Sequence, residues 1–194
     1  MTTEKFTQAI TLINEANSED PNIESWQGKQ YPKEVLYSLR MSEMLSDFVP
    51  APSIELQLAA HSQHICRWQY PRKNYEMNRA GYLLWRKELN KFHAQKAGEI
   101  LASVDFNAET IEKVQFLLLK KQLKKDPQTQ TLEDVVCLVF LQYYFTDFAA
   151  AHTEQKIISV LQKTWAKMSA QGHEKALTLS LPENDKALIV KALS

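Results

Sequence analysis

Four side chains have the types and spacing to do chemistry together: His61, His64, His93 and Asp134. In the segment around 53–66, Ile54, Leu58, His61 and Ile65 fall on one helical face, with His64 on its flank one turn from His61. Farther on, Leu89, Phe92, His93, Ala97 and Ile100 form a stripe with His93 near its centre. After Thr131, a third stripe of Asp134, Leu138, Leu141 and Phe145 points Asp134 inward. A carboxylate buried without a partner is expensive and demands a cation, a metal or good hydrogen bonds. Two histidines one turn apart, a third histidine and an aspartate suit a divalent metal ion, with Mn, Fe, Co, Zn or Mg as candidates. The same groups suit general acid–base work near neutral pH, where Glu133 would act as the base or support the ligands. Two plainer roles stay open. Asp134 stands three residues after Thr131, where it would complete a capping box, and each histidine by itself reads as a hydrogen-bonded core residue. His152 and His173 fall at helix ends, as caps or surface residues.

Between the second and third of these histidines runs a basic, aromatic stretch: Arg67, Trp68, Arg72, Lys73 and Arg79, then Tyr82, Trp85 and Arg86. Arginine grips phosphate with two parallel donors, and an indole or phenol stacks on a base. Arg67, Trp68, Arg72 and Arg79 are therefore candidates for holding a small phosphorylated molecule or nucleotide beside the histidines. The alternative is a structured loop whose Trp and Arg pack and pair locally. Lys120, Lys121, Lys124 and Lys125 read as a solvated helix end.

The elements that must position these groups are helical. Glycine is scarce (four residues), β-branched alternation is absent, and the apolar pattern repeats at the helical period throughout. The pattern predicts an all-α helical bundle of about seven to nine helices in one domain, 1–194. The expected spans are 2–16, 32–48 with Pro32 in its first turn, 53–66, 79–103, 108–122 capped by Asn107, 132–150 capped by Thr131, and 153–170 ended by Gly172. A short last helix opens at Pro182, and a loop carries Trp26 and Gly28. Lys+Arg and Asp+Glu both number 23, so the formal net charge is zero, which argues against duplex nucleic acid and an anionic membrane as partners. No apolar run approaches the ~18 residues of a membrane span. Cys66 and Cys137 lie far apart with no metal-binding spacing, and the N-terminus carries no signal-like segment, so a cytoplasmic protein with reduced thiols is expected. Nothing in the sequence sets the oligomeric state.

The order of elements resembles the HD-domain metal-dependent phosphohydrolases over roughly residues 33–148. The segments that carry the resemblance are Tyr37-Ser38-Leu39-Arg40, Leu58-Ala59-Ala60-His61-Ser62-Gln63-His64-Ile65, the run Phe92-His93-Ala94 to Leu101, and Leu132-Glu133-Asp134-Val135. It implies an HD-like core over 33–148 with C-terminal helices 153–194 packed on it. It also implies a metal held by His61, His64, His93 and Asp134, and hydrolysis of a phosphate ester by metal-activated water. Tyr37 stands where that superfamily has its first histidine, and Gln63-His64 stands at its His-Asp doublet. Those positions support a second reading, a degenerate, non-catalytic domain that binds a nucleotide or a protein partner.

Nearly the whole chain also resembles a bacterial and fungal family of unknown function. The shared segments are Gln63-His64-Ile65-Cys66-Arg67-Trp68, Gly81-Tyr82-Leu83-Leu84-Trp85-Arg86 and Leu132 to Leu141. Members of that family sometimes carry a glutamyl-tRNA synthetase label. His64-Ile65-Cys66-Arg67 and Lys167-Met168-Ser169 echo the two class I synthetase signatures. Cys66, however, occupies the position at which a glycine must let ATP approach, and no strand precedes it.

Overall fold

Short polar residues cap five of the helices: Ser53, Asn78, Asn107, Asp126 and Ser169 each accept a backbone N–H of the first turn. In a computed structural model that describes residues 2–193, these divide into two compact units, 1–121 and 122–194. That boundary falls within the 33–148 segment. Ten α-helices and one two-stranded sheet are present among the described residues. No helix among them is long and apolar enough to cross a membrane.

The first unit begins with α1 (Thr2–Ser18), followed by strands β1 (Ile23–Trp26) and β2 (Lys29–Pro32). The loop expected around Trp26 and Gly28 is thus a tight antiparallel hairpin, with Trp26 opposite Lys29. Gln27 and Gly28 both adopt positive φ, as a two-residue hairpin turn requires. Four-residue strands are too short to show alternation, which is why the pattern gave no sign of them. Helix α2 (Lys33–Phe48) starts one residue after Pro32. Helix α3 spans Ile54–His61, capped by the Ser53 hydroxyl, and stops five residues short of expectation. Past His61 the chain tightens into turns, with the Gln63 N–H on the Ala60 carbonyl and the Ile65 N–H on the Ser62 carbonyl, and the Cys66 N–H is taken by Asn17 Oδ1 at 2.9 Å. Cys66 itself is left-handed, φ 52°, and reverses the chain into two single 3-10 turns. Helix α4 covers Arg79–Ser103, capped by Asn78, and α5 covers Ala108–Leu118, capped by Asn107. Helices α1 to α5 pack on one another around Ile13, Leu36, Leu58, Leu89, Leu101 and Leu117, all fully buried.

In the second unit, α6 (Pro127–Val139) begins five residues earlier than the expected 132, because Asp126 is the cap and Pro127 takes the first helical position. Thr131 is interior, its hydroxyl bonded back to the Pro127 carbonyl. The chain then widens into a π-helical turn over Phe140–Tyr144 before α7 (Phe145–Ala150). Helix α8 (Glu154–Lys167) ends before Met168, and Ser169 caps a separate α9 (Ala170–Leu177). Gly172, expected to end a helix, lies in the first turn of α9. There, a Cβ would stand 2.8 Å from Asp134 Oδ1. Pro182 does precede the last helix, α10 (Glu183–Leu193).

Candidate functional site

The left-handed turn at Cys66 delivers His64 and Arg67 to the same side of the first unit as α2 and α4. His64 stacks on Tyr37 of α2, with centroids 3.7 Å apart and planes 12° from parallel. Its Nδ1 is 3.3 Å from Glu34 Oε2. His93 of α4 stands 5.9 Å from it, ring to ring. Arg67 Nη1 lies 3.1 Å from both ring nitrogens of His64, and its guanidinium carbon is 5.4 Å from the centre of the Trp85 ring. Trp85 is fixed in turn by donating its indole N–H to the Tyr70 carbonyl at 2.8 Å.

Charge and burial set the protonation here. Burial pushes the Glu34 carboxyl up to about 7 against the pull of Arg67, and Asp20, which accepts the Glu34 N–H, pushes the same way. Burial also lowers His93 to about 3 and holds His64 well below the usual 6.5, with Arg67, Arg86 and Lys120 adding to both. The Glu34–His64 contact is therefore a neutral imidazole beside a carboxyl in mid-titration at pH 7, not an ion pair. His93 Nε2 and Gln63 Oε1 are buried and meet no hydrogen-bond partner among the described residues.

The other sequence candidates have their own partners. Both nitrogens of His61 are spent, Nδ1 on Ser42 Oγ at 2.9 Å and Nε2 on Asn14 Oδ1 at 3.0 Å. Asp134, in the second unit, accepts the Ser169 N–H at 2.8 Å, the Ser169 hydroxyl at 2.6 Å and a Gln130 amide N–H at 3.0 Å. Glu133, buried in that unit, lies 3.4 Å from Lys167 Nζ. Arg72 closes its own loop by donating to the carbonyls of Tyr75, Glu76 and Asn78. Trp68 packs half-buried against Ile13, Ile65 and Cys66, and Arg79 is exposed at the start of α4. His152 and His173 stack on Phe148 and Trp165 and bond to their carbonyls.

A divalent ion can therefore be tested against the side chains themselves. Among the described residues no three or more His, Cys, Asp and Glu side chains are placed to hold one. The Asp134 carboxylate of the second unit already accepts three donors, His61 has no free nitrogen, and the Arg67 cation sits on His64. As placed, the three histidines of the first unit do not form a metal-ligand set.

Residues 7–189 match the family described as Domain of unknown function (DUF4202). The chain belongs to that family. No curated protein and no solved structure matches it.

Sequence reasoning passed over Glu34 and Asn17 in this DUF4202 site, and met Tyr37 only through the HD-domain resemblance. Glu34 and Tyr37 lie one turn apart on α2, both buried. Asn17, one position past the expected helix over 2–16, is fully buried. Its amide nitrogen donates to Ser38 Oγ at 3.1 Å while its oxygen holds Cys66, tying α1, α2 and the turn that carries His64. The available signal was the i, i+3 and i+4 spacing of Glu34, Tyr37 and Ser38, a polar stripe on the face that α2 buries.

Proposed function

We propose that the protein binds a small phosphorylated molecule, with nucleotides as the leading class, at the site formed by Arg67, His64 and His93. One observation carries this reading: the Arg67 guanidinium lies 3.1 Å from both ring nitrogens of His64 and over Trp85, Arg86 also bears on both histidines, and Glu34 beside them is only partly ionised at pH 7. A dianionic phosphate would relieve that excess positive charge, and the planar fork of Arg67, backed by Trp85, suits it. Tyr82, half-exposed and 5.9 Å from Trp85, offers an aromatic face to a base. Arg72 shapes the loop rather than gripping the ligand. A cytoplasmic setting belongs to the same proposal, in which the buried Cys66 and Cys137 stay reduced.

Thermal melting with a nucleotide panel and with inorganic phosphate tests this. A ligand at 100 times its Kd adds about 2.7 kcal/mol to the folded state, and Arg67→Ala should remove that gain. No stabilisation by any member of the panel would overturn the reading.

A second reading, the metal-dependent phosphohydrolase implied by the HD-domain resemblance, would need the Arg67 cation to leave His64, since the histidines as placed form no ligand set. Imidazole ligates through the lone pair that protonation would occupy. This reading predicts stabilisation by Mn²⁺ or Co²⁺ that His64→Ala abolishes, together with phosphatase turnover. Nucleotide stabilisation that is indifferent to metal selects the binding reading.

A further inference from the structure

A second place in the first unit brings together groups that the cationic site does not use. Between α1, α2 and α3 lies a cavity of about 300 Å³, walled by Phe6, Ile10, Leu39 and Leu45. That volume is at the lower end for small-molecule pockets. The polar groups on its wall include Ser42, His61 and Asn14. Ser42 Oγ lies 2.9 Å from His61 Nδ1, and His61 Nε2 lies 3.0 Å from Asn14 Oδ1. In the tautomer protonated at Nε2, Asn14 Oδ1 accepts the Nε2–H and the Nδ1 lone pair faces the Ser42 hydroxyl.

We propose that Ser42, His61 and Asn14 form a nucleophilic centre that hydrolyses small carboxylic esters with an apolar acyl group. A nucleophile within hydrogen-bond reach of a base, and a base oriented by a third group, is the arrangement that activates a serine hydroxyl. An apolar wall selects an apolar acyl chain. Ser42 is half-exposed, so a substrate can reach it, whereas His61 is buried and locked. Burial lowers His61 to about 4, with the Ser38 backbone opposing, so the ring is a free base at neutral pH. Gln57, whose amide donates to the Pro52 carbonyl, also stands on the cavity wall.

The chemistry balances with water as the only co-reactant. Ser42 Oγ bonds to the acyl carbon as its proton passes to His61 Nδ1. The C–O bond to the alcohol then breaks, and the departing oxygen takes that proton. Water repeats the sequence against the acyl-serine, releases a carboxylic acid and restores Ser42.

The test uses the full chain, a fluorophosphonate probe with peptide mass spectrometry, and p-nitrophenyl butyrate as ester. The expected result is an adduct on the peptide containing Ser42. Ester turnover should fall by about 100-fold or more in Ser42→Ala and in His61→Gln, and less in Asn14→Ala, with melting temperatures recorded alongside. The labelling needs no variant, so it decides the matter even where a substitution unfolds the chain. A wild type that takes no label at Ser42 or shows no turnover, or a folded Ser42→Ala that retains turnover, would overturn the proposal.

Discussion

His93 stands beside His64, 5.9 Å from ring to ring, yet its buried Nε2 has no hydrogen-bond partner among the described residues. A polar atom left unpaired in the interior costs about 1–3 kcal/mol. The resting fold gains nothing from that nitrogen, whereas a ligand would. His93→Leu should therefore change stability by no more than about 1 kcal/mol, since it removes an unmet group and fills similar volume. It should also abolish nucleotide stabilisation. Urea unfolding with and without nucleotide checks both, and a loss near 3 kcal/mol would mark His93 as structural.

Glu34 makes the first unit sensitive to alkali. Its carboxyl titrates near 7 in the fold and near 4.5 when unfolded. The folded value is raised, so its contribution is fully present below about pH 4.5 and is lost as pH climbs through 7. The span corresponds to about 3 kcal/mol. Glu34→Gln removes the titration, and its stability relative to wild type should rise between pH 5 and pH 8. Equal urea midpoint shifts at both pH values would show that the carboxyl is not desolvated as described.

Buried histidines act on the acid side. His61 and His93 are lowered to about 4 and about 3 against 6.5 unfolded. The unfolded chain takes up their protons first, so stability present above 6.5 drains away as pH falls toward 4. Each histidine contributes a slope of about 1.4 kcal/mol per pH unit in that window. His93→Leu should flatten the fall in melting temperature between pH 6.5 and pH 4.5.

The helices of this chain were legible because their caps are local. Asn107 and Asn78 stand where they cap, and α4 runs over the expected 79–103. Legibility failed where a distant group decides the outcome. Past the end of helix α3, the Cys66 N–H is taken by Asn17, 49 positions before it in the chain. Asp134 faces inward as its stripe implies, but its partner is the N-terminus of α9, which no periodicity reveals. For the site, the pattern identified His64, His93 and Arg67 by type. It passed over Glu34, whose unusual titration arises from burial that only the packed fold supplies.

Gly172 and Asp134 test that helix start in the second unit. The Asp134 carboxylate is pinned by Ser169 and Gln130, so it cannot yield to a new methyl group. Gly172→Ala should destabilise by about 1–3 kcal/mol through overpacking, despite the better helix propensity of alanine. Asp134→Asn should destabilise as well, since it leaves Ser169 with a poorer acceptor. Guanidinium unfolding of both variants checks this, and a stabilised Gly172→Ala would show that Asp134 moves freely.

The Asn17 amide is satisfied only when three stretches of chain, distant in sequence, have all arrived. Until α1, α2 and the Cys66 turn meet, it is a polar group that the interior cannot tolerate, so partial assembly of the three is penalised. Docking there becomes all-or-none. The Cys66 backbone proton, held by that same side chain, should consequently exchange with solvent deuterium only through openings that dismantle the whole junction, which makes one amide a reporter on the integrity of the first unit.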